Sequence, residues 1–285
     1  RELVGEAMVR LERAQARGGG IVGLPTGFRD LDDMTGGLQA SDLILVAARP
    51  GMGKTSLALN VAQRVATALT AGVVLVFSLE MSKEQLMDRL LSSEARVDSH
   101  RLRAGHLHDR DYARISSALG TISEARLLID DTSSLRVEDL LVRARRAKLE
   151  HGGLALLVVD YLQLMSTRER HENRNQQVSA ISRSLKAAAK ELGCPLVALS
   201  QLSRAPEGRR DPRPMLSDLR ESGALEQDAD VVLFLYRNDD DAEAEGVCEV
   251  IIGKARNGPT GTVRLCFVRE HTRFEDLAQG DGSAT

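Results

Sequence analysis

The sequence predicts an α/β fold with a mostly parallel central sheet and an antiparallel extension at its C-terminal end. Three observations predict it. From residue 42 to residue 200, short apolar runs alternate with longer amphipathic segments, the pattern of repeated βαβ units. A glycine-rich turn separates the first apolar run from the first long helical segment. Beyond residue 230, three apolar runs follow one another with no long helical stretch between them.

Arg1 to Arg17 carry Leu3, Val4, Ala7, Met8, Leu11 and Ala14 at helical spacing, and Gly18, Gly19 and Gly20 end that helix in a flexible joint. Such a helix either packs on its own domain or serves as a linker docked on a neighbouring subunit. The chain therefore divides into a linker helix and hinge over residues 1–20 and one domain over residues 21–285. In the domain, strands are expected at Asp42–Ala48, Val73–Ser78, Arg126–Ile129, Leu154–Val159 and Leu196–Ser200. Helices are expected at Thr55–Leu69, Lys83–Ala95, Asp111–Ser123, Val137–Leu149 and Gln176–Leu192. The closing strands are Val231–Tyr236, Cys248–Lys254 and Thr262–Val268, with an acidic loop at Asp239–Glu245 and a hairpin-turn signal at Asn257-Gly258.

Composition bounds the rest. The chain has 285 residues, enough for one sizeable α/β domain with a short appendage. Hydrophobic residues at 42% and charged residues at 28% argue against disorder. Aromatics are 3% and Trp is absent, so the core is aliphatic. A net charge of -3 gives no global attraction to a polyanion; nucleic-acid binding needs a local basic patch. Cys194, Cys248 and Cys266 are odd in number and far apart, which supports neither a zinc site nor a disulfide framework and fits a reduced cytosolic compartment. No apolar run is long enough to cross a bilayer, and no signal peptide is visible. The chain begins at Arg1, which reads as a fragment lacking an upstream part.

The strongest motif is Ala48-Arg49-Pro50-Gly51-Met52-Gly53-Lys54-Thr55, followed by Ser56, between a strand and a helix. That is the context of a phosphate-binding P-loop. Gly51 and Gly53 allow the backbone N–H groups to approach phosphate oxygens, and the helix aims its positive end at the same anions. Lys54 supplies a charge for the β- and γ-phosphates, and the Thr55 hydroxyl can ligate Mg²⁺. The usual pattern begins with Gly where this chain has Ala48. Asp160 ends an apolar strand, at the sheet edge where a second acid can hold Mg²⁺ through water. Glu80, after another strand, either orients the attacking water or is a helix N-terminal acid. Gln201 either senses the γ-phosphate or is an exposed strand-end amide.

With ARPGMGKTSLALN, FSLEMS, LLVVDYLQLM, ALSQLSR, LSDLRESGALEQDADVV and KARNGPTG in that order, the chain from about Gly23 to about Phe274 resembles the C-terminal motor domain of bacterial replicative DNA helicases of the DnaB family. The resemblance implies a RecA-like ATPase that uses ATP and Mg²⁺, forms a homo-hexameric ring, moves on single-stranded DNA and unwinds duplex DNA. It implies that Glu80 polarises the attacking water, Asp160 is the metal-side acid and Gln201 the γ-phosphate sensor. Lys254 and Arg256 become cations inserted into the next subunit's nucleotide. It favours the linker reading of Arg1–Arg17, and implies contact with primase and a helicase loader in the bacterial cytoplasm, at the nucleoid. A recombinase filament and a regulatory ATPase share the same phosphate site and stand as alternatives.

For DNA, the segment Ser203–Arg220 holds Arg204, Arg209, Arg210, Arg213 and Arg220, broken by Pro206, Pro212 and Pro214. It reads as a basic loop or as a solvated one whose acids offset its charge. The resemblance places DNA contacts at Arg220, Glu221 and Gly223. With no aromatic in the segment, binding would be backbone-led and tolerant of sequence. Arg168, Arg170 and Arg174 are a secondary candidate. Arg143 to Lys148 read as a charged helix surface.

Overall fold

The computed structural model describes residues 21–167, 173–203, 208–238 and 246–277, with the side chains of residues 220–222 also outside the description. Arg1–Gly20, Arg168, Arg170, Arg204 and the Asp239–Glu245 loop lie outside the described residues.

The helices are α1 (Arg29–Thr35), α2 (Lys54–Ala68), α3 (Lys83–Ala95), α4 (Ser99–Ala104), α5 (Asp109–Glu124), α6 (Val137–Glu150), α7 (Arg174–Leu192) and α8 (Gly223–Asp228). The strands are β1 (Leu43–Ala48), β2 (Val73–Ser78), β3 (Leu127–Asp130), β4 (Leu154–Asp160), β5 (Leu196–Gln201), β6 (Val231–Tyr236), β7 (Val247–Ala255), β8 (Gly261–Val268) and β9 (Arg273–Asp276). They form one nine-stranded sheet in the order β3-β2-β4-β5-β1-β6-β7-β8-β9. Pairing is parallel from β3 through β6 and antiparallel from β6 through β9.

β1 and β2 are buried along their whole length, which is why they read as continuous apolar runs rather than alternating ones. Each face of the sheet owns a core. Leu43, Leu45 and Ala47 of β1 pack with Leu140 and Ala144 of α6 and with Ile181 and Leu185 of α7. Ile44, Val46 and Ala48 pack on the other face with Leu57, Val61 and Val65 of α2 and Leu86 and Leu90 of α3. The period of two along β1 thus feeds two helical layers.

Several short elements depart from expectation. α1, α4 and β9 are additional, each of seven residues or fewer. The segment expected to be a loop up to Arg220 instead closes in a 3-10 turn over Leu216–Ser222 that leads into α8. Pro212 and Pro214 precede that turn and so do not forbid it.

Asp230 organises the N-terminal edge of the sheet. Its buried carboxylate accepts from the Leu43 amide at 2.8 Å and from the Lys186 ammonium, while its own amide donates to the Leu43 carbonyl at 2.9 Å. One side chain therefore joins the starts of β1 and β6 to α7. Arg256 is set on the same edge, its amide donating to the Asp230 carbonyl at 2.9 Å.

Candidate functional site

The carboxyl ends of β1, β2, β5 and β6 open onto a cavity of about 560 Å³. Its wall holds the whole Ala48–Ser56 turn together with Glu80, Arg89, Gln201 and Arg237. A crevice at the carboxyl ends of parallel strands is where open α/β sheets hold ligands.

The turn has the geometry of an anion cradle. Gly51 and Gly53 take φ of 81° and 95°, in the left-handed region. α2 starts directly after Gly53 with no side-chain cap and no acid in its first turn, so its positive end is left for a ligand. Ala48 is buried within β1 and has no positive φ, so nothing there requires the glycine of the usual pattern. The β7–β9 extension holds the turn from behind. Phe267 and Phe274 stack with centroids 4.5 Å apart, and a Cβ on Gly53 would meet Phe274 at 2.9 Å. Gly53→Ala is therefore expected to lose about 1–3 kcal/mol of stability and to misplace the cradle. A lowered urea midpoint together with weakened nucleotide affinity is the expected result, and an unchanged midpoint would contradict it.

Thr55 Oγ1 donates to Asp160 Oδ2 at 2.7 Å, which brings the helix start and the end of β4 together. Asp160 Oδ1 is buried and has no hydrogen-bond partner among the described residues. Burial pushes the Asp160 carboxyl above the usual range, while the Thr55 bond and the Lys54 charge pull it back. Lys54 stands over the Tyr161 ring at 4.6 Å. Burial pushes its ammonium below the usual lysine range, against the attraction of Asp160 and Glu80. Arg89 is lowered by burial in the same field. The site thus holds desolvated cations that an anion would stabilise.

Glu80 lies on the cavity wall beyond the end of β2. Its reading as a helix N-terminal acid loses ground: α3 is capped by Ser82, in a capping box with Gln85. Gln201 ends β5 beside Ala48 of β1 and lines the same cavity. Lys54, Thr55, Glu80, Asp160 and Gln201 are therefore brought together, although they come from four separate stretches of chain.

Lys254 and Arg256 are not. Lys254 pairs with Val232 at the start of β6, and Arg256 follows β7 with its amide on the Asp230 carbonyl, so both lie at the edge of the sheet opposite the cradle. Lys254 Nζ donates to the carbonyls of Glu226, Gln227 and Ala229, at 2.7 Å to the last. Arg256 donates to the Gln227 carbonyl at 2.8 Å, and its guanidinium is half exposed. Both cap the C-terminal end of α8, and Lys254 uses all three of its donors in doing so.

Among the DNA candidates, Arg209 turns inward, donating to Asp218 Oδ2 at 2.6 Å and to the Arg213 carbonyl at 2.9 Å. Arg213 makes a two-pronged pair with Glu249 at 2.7 and 2.9 Å. These two arginines hold the segment in shape, which corrects the picture of a freely charged loop; Arg209 is bound by Asp218, an acid of the segment itself, and Arg213 mainly by Glu249 of β7. Arg210 is exposed. Gly223 opens α8, and a Cβ there would meet nothing within 4 Å among the described residues. Arg174, of the secondary candidate, donates to Gln177 and to the Gln163 carbonyl. The surface helix reading of Arg143–Lys148 holds: Arg143 pairs with Asp130, Arg145 with Glu191 and Arg146 with Glu150.

Sequence reasoning missed Arg89, Arg237 and Gln163. Arg237 is buried and donates to the Gly51 carbonyl at 3.2 Å. It follows the apolar run of β6 as Asp160 ends that of β4, so the strand-end rule that found the acid could have found it. Arg89 lies inside an ordinary amphipathic helix, where nothing in the spacing marks it.

Fold and cradle together define a RecA-like P-loop α/β chain. The model of the DnaB-like helicase C-terminal domain matches residues 23–276. The replicative DNA helicase DnaB of Geobacillus stearothermophilus is 52% identical over 271 residues, 94% of this chain and 59% of that protein. A solved ATPase domain superimposes with a TM-score of 0.91 at 40% identity, over 96% of this chain and 99% of that one. A structure described as a DnaB-like replicative helicase and its interactions with primase gives a TM-score of 0.89 at 40% identity, over 96% of this chain and 66% of that one. The chain belongs to the DnaB-like helicase C-terminal domain family, and it spans about three-fifths of the length of that curated relative.

Proposed function

We propose that the chain is the motor of a replicative DNA helicase, which hydrolyses ATP between the subunits of a homo-hexameric ring to move along single-stranded DNA and unwind duplex DNA. The observation that carries this reading is the separation of the catalytic cations. Lys54 stands at the carboxyl end of the parallel strands, and Arg256 at the opposite edge. β1 spans six residues, roughly 16 Å at the rise of a strand, so Arg256 cannot serve its own cradle. It can serve a neighbour's, and a ring supplies one to every subunit.

In that site the backbone of Pro50–Gly53 and the Lys54 ammonium bind the phosphates, with Ser56 at the start of α2. Glu80 holds a proton of the attacking water, and Gln201 touches the γ-phosphate. Thr55 and Asp160 fit a magnesium ion: both offer oxygen, and the unpartnered Asp160 Oδ1 is the kind of hard donor it takes. When bound, the ion neutralises charge on the β- and γ-oxygens. Arg256 in trans stabilises charge on the transferring phosphoryl group, while Lys254 holds the carbonyls at the end of α8.

DNA would follow the Arg210–Gly223 segment, through the exposed Arg210 and the amide of Gly223, with Arg204, Arg220 and Glu221 as further proposed contacts. α8 begins at the DNA segment and ends under Lys254 and Arg256, so six residues join strand contact to the neighbour's nucleotide. The primase named with one solved neighbour, and a helicase loader, are proposed partners of the protein to which this motor belongs. Residues 1–20 are proposed as its linker and 21–285 as the motor domain. Among the described residues no helix is long and apolar enough to cross a membrane. The relatives are bacterial replication proteins, which argues for the cytoplasm, at the nucleoid.

The test is ATP turnover with and without single-stranded DNA, read beside oligomer mass with and without nucleotide. A ring with DNA-stimulated turnover is expected. An open filament with strand-pairing activity would mark a recombinase, and turnover indifferent to DNA a regulatory ATPase.

A further inference from the structure

We infer that Gln163 is a positioning residue that fixes Gln201 relative to Asp160 and ties that pair to α7. The inference rests on the reading of Gln201 as the γ-phosphate sensor. Ladder pairing between β4 and β5 ends at Val159 and Ala198, before either functional residue is reached. Past that point the two strand ends are joined by a side chain. Gln163 lies in the 3-10 turn Leu162–Leu164 that follows β4. Its Nε2 donates to Ser200 Oγ at 2.8 Å and to the Gln201 carbonyl at 3.3 Å. Its Oε1 accepts from the Gln201 amide at 3.4 Å. One amide thus faces both main-chain groups of the sensor residue, as a neighbouring strand would.

The other side of the same strand end is held from the cradle. The Leu202 amide donates to the Ala48 carbonyl at 3.0 Å, and Arg49 donates to the Leu202 carbonyl at 2.9 Å. Gln201 is therefore gripped between the turn that follows Asp160 and the root of the phosphate loop. A third grip reaches away from the nucleotide. The Gln163 carbonyl accepts from Arg174, at the start of α7, and α7 packs on the 3-10 turn and on α8. Gln163, Arg174, Gln201, Ser203, Asp218 and Leu219 line one small cavity of about 50 Å³ at this junction. A shift of Gln201 toward a γ-phosphate would therefore pull on the turn after Asp160 and, through Arg174, on the element under the proposed DNA face.

The test compares Gln163→Ala and Gln163→Glu with the unchanged chain. Three quantities are read: affinity for ADP, affinity for a non-hydrolysable ATP analogue, and turnover with and without single-stranded DNA. Gln163→Ala is expected to keep its affinity for ADP and to lose a few degrees at most in melting temperature, because the half-buried side chain leaves no core void and gives up only its hydrogen bonds to Ser200 and Gln201. It is expected to lose roughly five- to tenfold in preference for the triphosphate analogue, the scale of one or two neutral hydrogen bonds. DNA stimulation should fall with it, in kcat rather than KM. Gln163→Glu keeps the acceptor facing the Gln201 amide and loses the donor, so it should fall between the two. Preference and stimulation unchanged in Gln163→Ala would overturn the positioning role alone. An unchanged chain that binds both nucleotides equally would overturn the sensor reading beneath it.

Discussion

Lys54→Ala is expected to abolish ATP turnover, by at least roughly 10²–10³-fold, the range seen when one preorganised transition-state donor is removed. The reason lies in what surrounds the ammonium. Burial already opposes its charge, and the charges of Asp160 and Glu80 offset that. Without Lys54 the two carboxylates face the incoming phosphates with their nearest counter-charge gone. Nucleotide affinity should therefore fall together with turnover. Folding should survive, because Lys54 opens α2 and its ammonium faces the cavity rather than the core. Unchanged turnover in a folded Lys54→Ala chain, measured by phosphate release and checked by thermal melting, would remove the cradle assignment and everything built on it.

The parts of this molecule that could be read from sequence are those where one physical rule acts alone. β1 and β2 are apolar throughout because both faces are covered, and their ends fall within one residue of expectation. The phosphate turn was legible because positive φ at two places demands glycine, and because it sits between a strand and a helix. α1, α4 and β9 were not legible. They are too short for a period to develop, and tertiary contacts hold them: Asp32 in α1, for example, accepts from Thr26 and Gly27 in the preceding loop.

Charge was the least legible property. Arg209, Arg210 and Arg213 look alike in sequence, yet two are absorbed by Asp218 and Glu249 and one is exposed. Which arginine remains available depends on which acid the fold delivers to it, and local composition carries no trace of that. Lys254 and Arg256 differ in the same way. Spacing made them a pair, whereas the structure gives one a saturated set of carbonyl partners and leaves the other half exposed.

That difference sets the second large effect. Arg256→Ala is expected to leave nucleotide binding intact and to lower turnover roughly 10³-fold or more, the magnitude of a cation supplied in trans to a phosphoryl group. Its guanidinium is half exposed, and the buried Asp230 keeps the Lys186 ammonium without it, so stability should change little. Lys254→Ala should behave otherwise, losing stability as well as turnover, because its ammonium holds three carbonyls at the end of α8. A mixing experiment separates trans from cis action. A Lys54→Ala subunit still carries Arg256, and an Arg256→Ala subunit still carries an intact cradle. In mixed rings some interfaces pair the two intact halves, so combining two inactive variants should restore a fraction of turnover. A cation acting within its own subunit would give no recovery at any mixing ratio in rings shown by mass to be mixed, since each subunit would then lack one half of its only site.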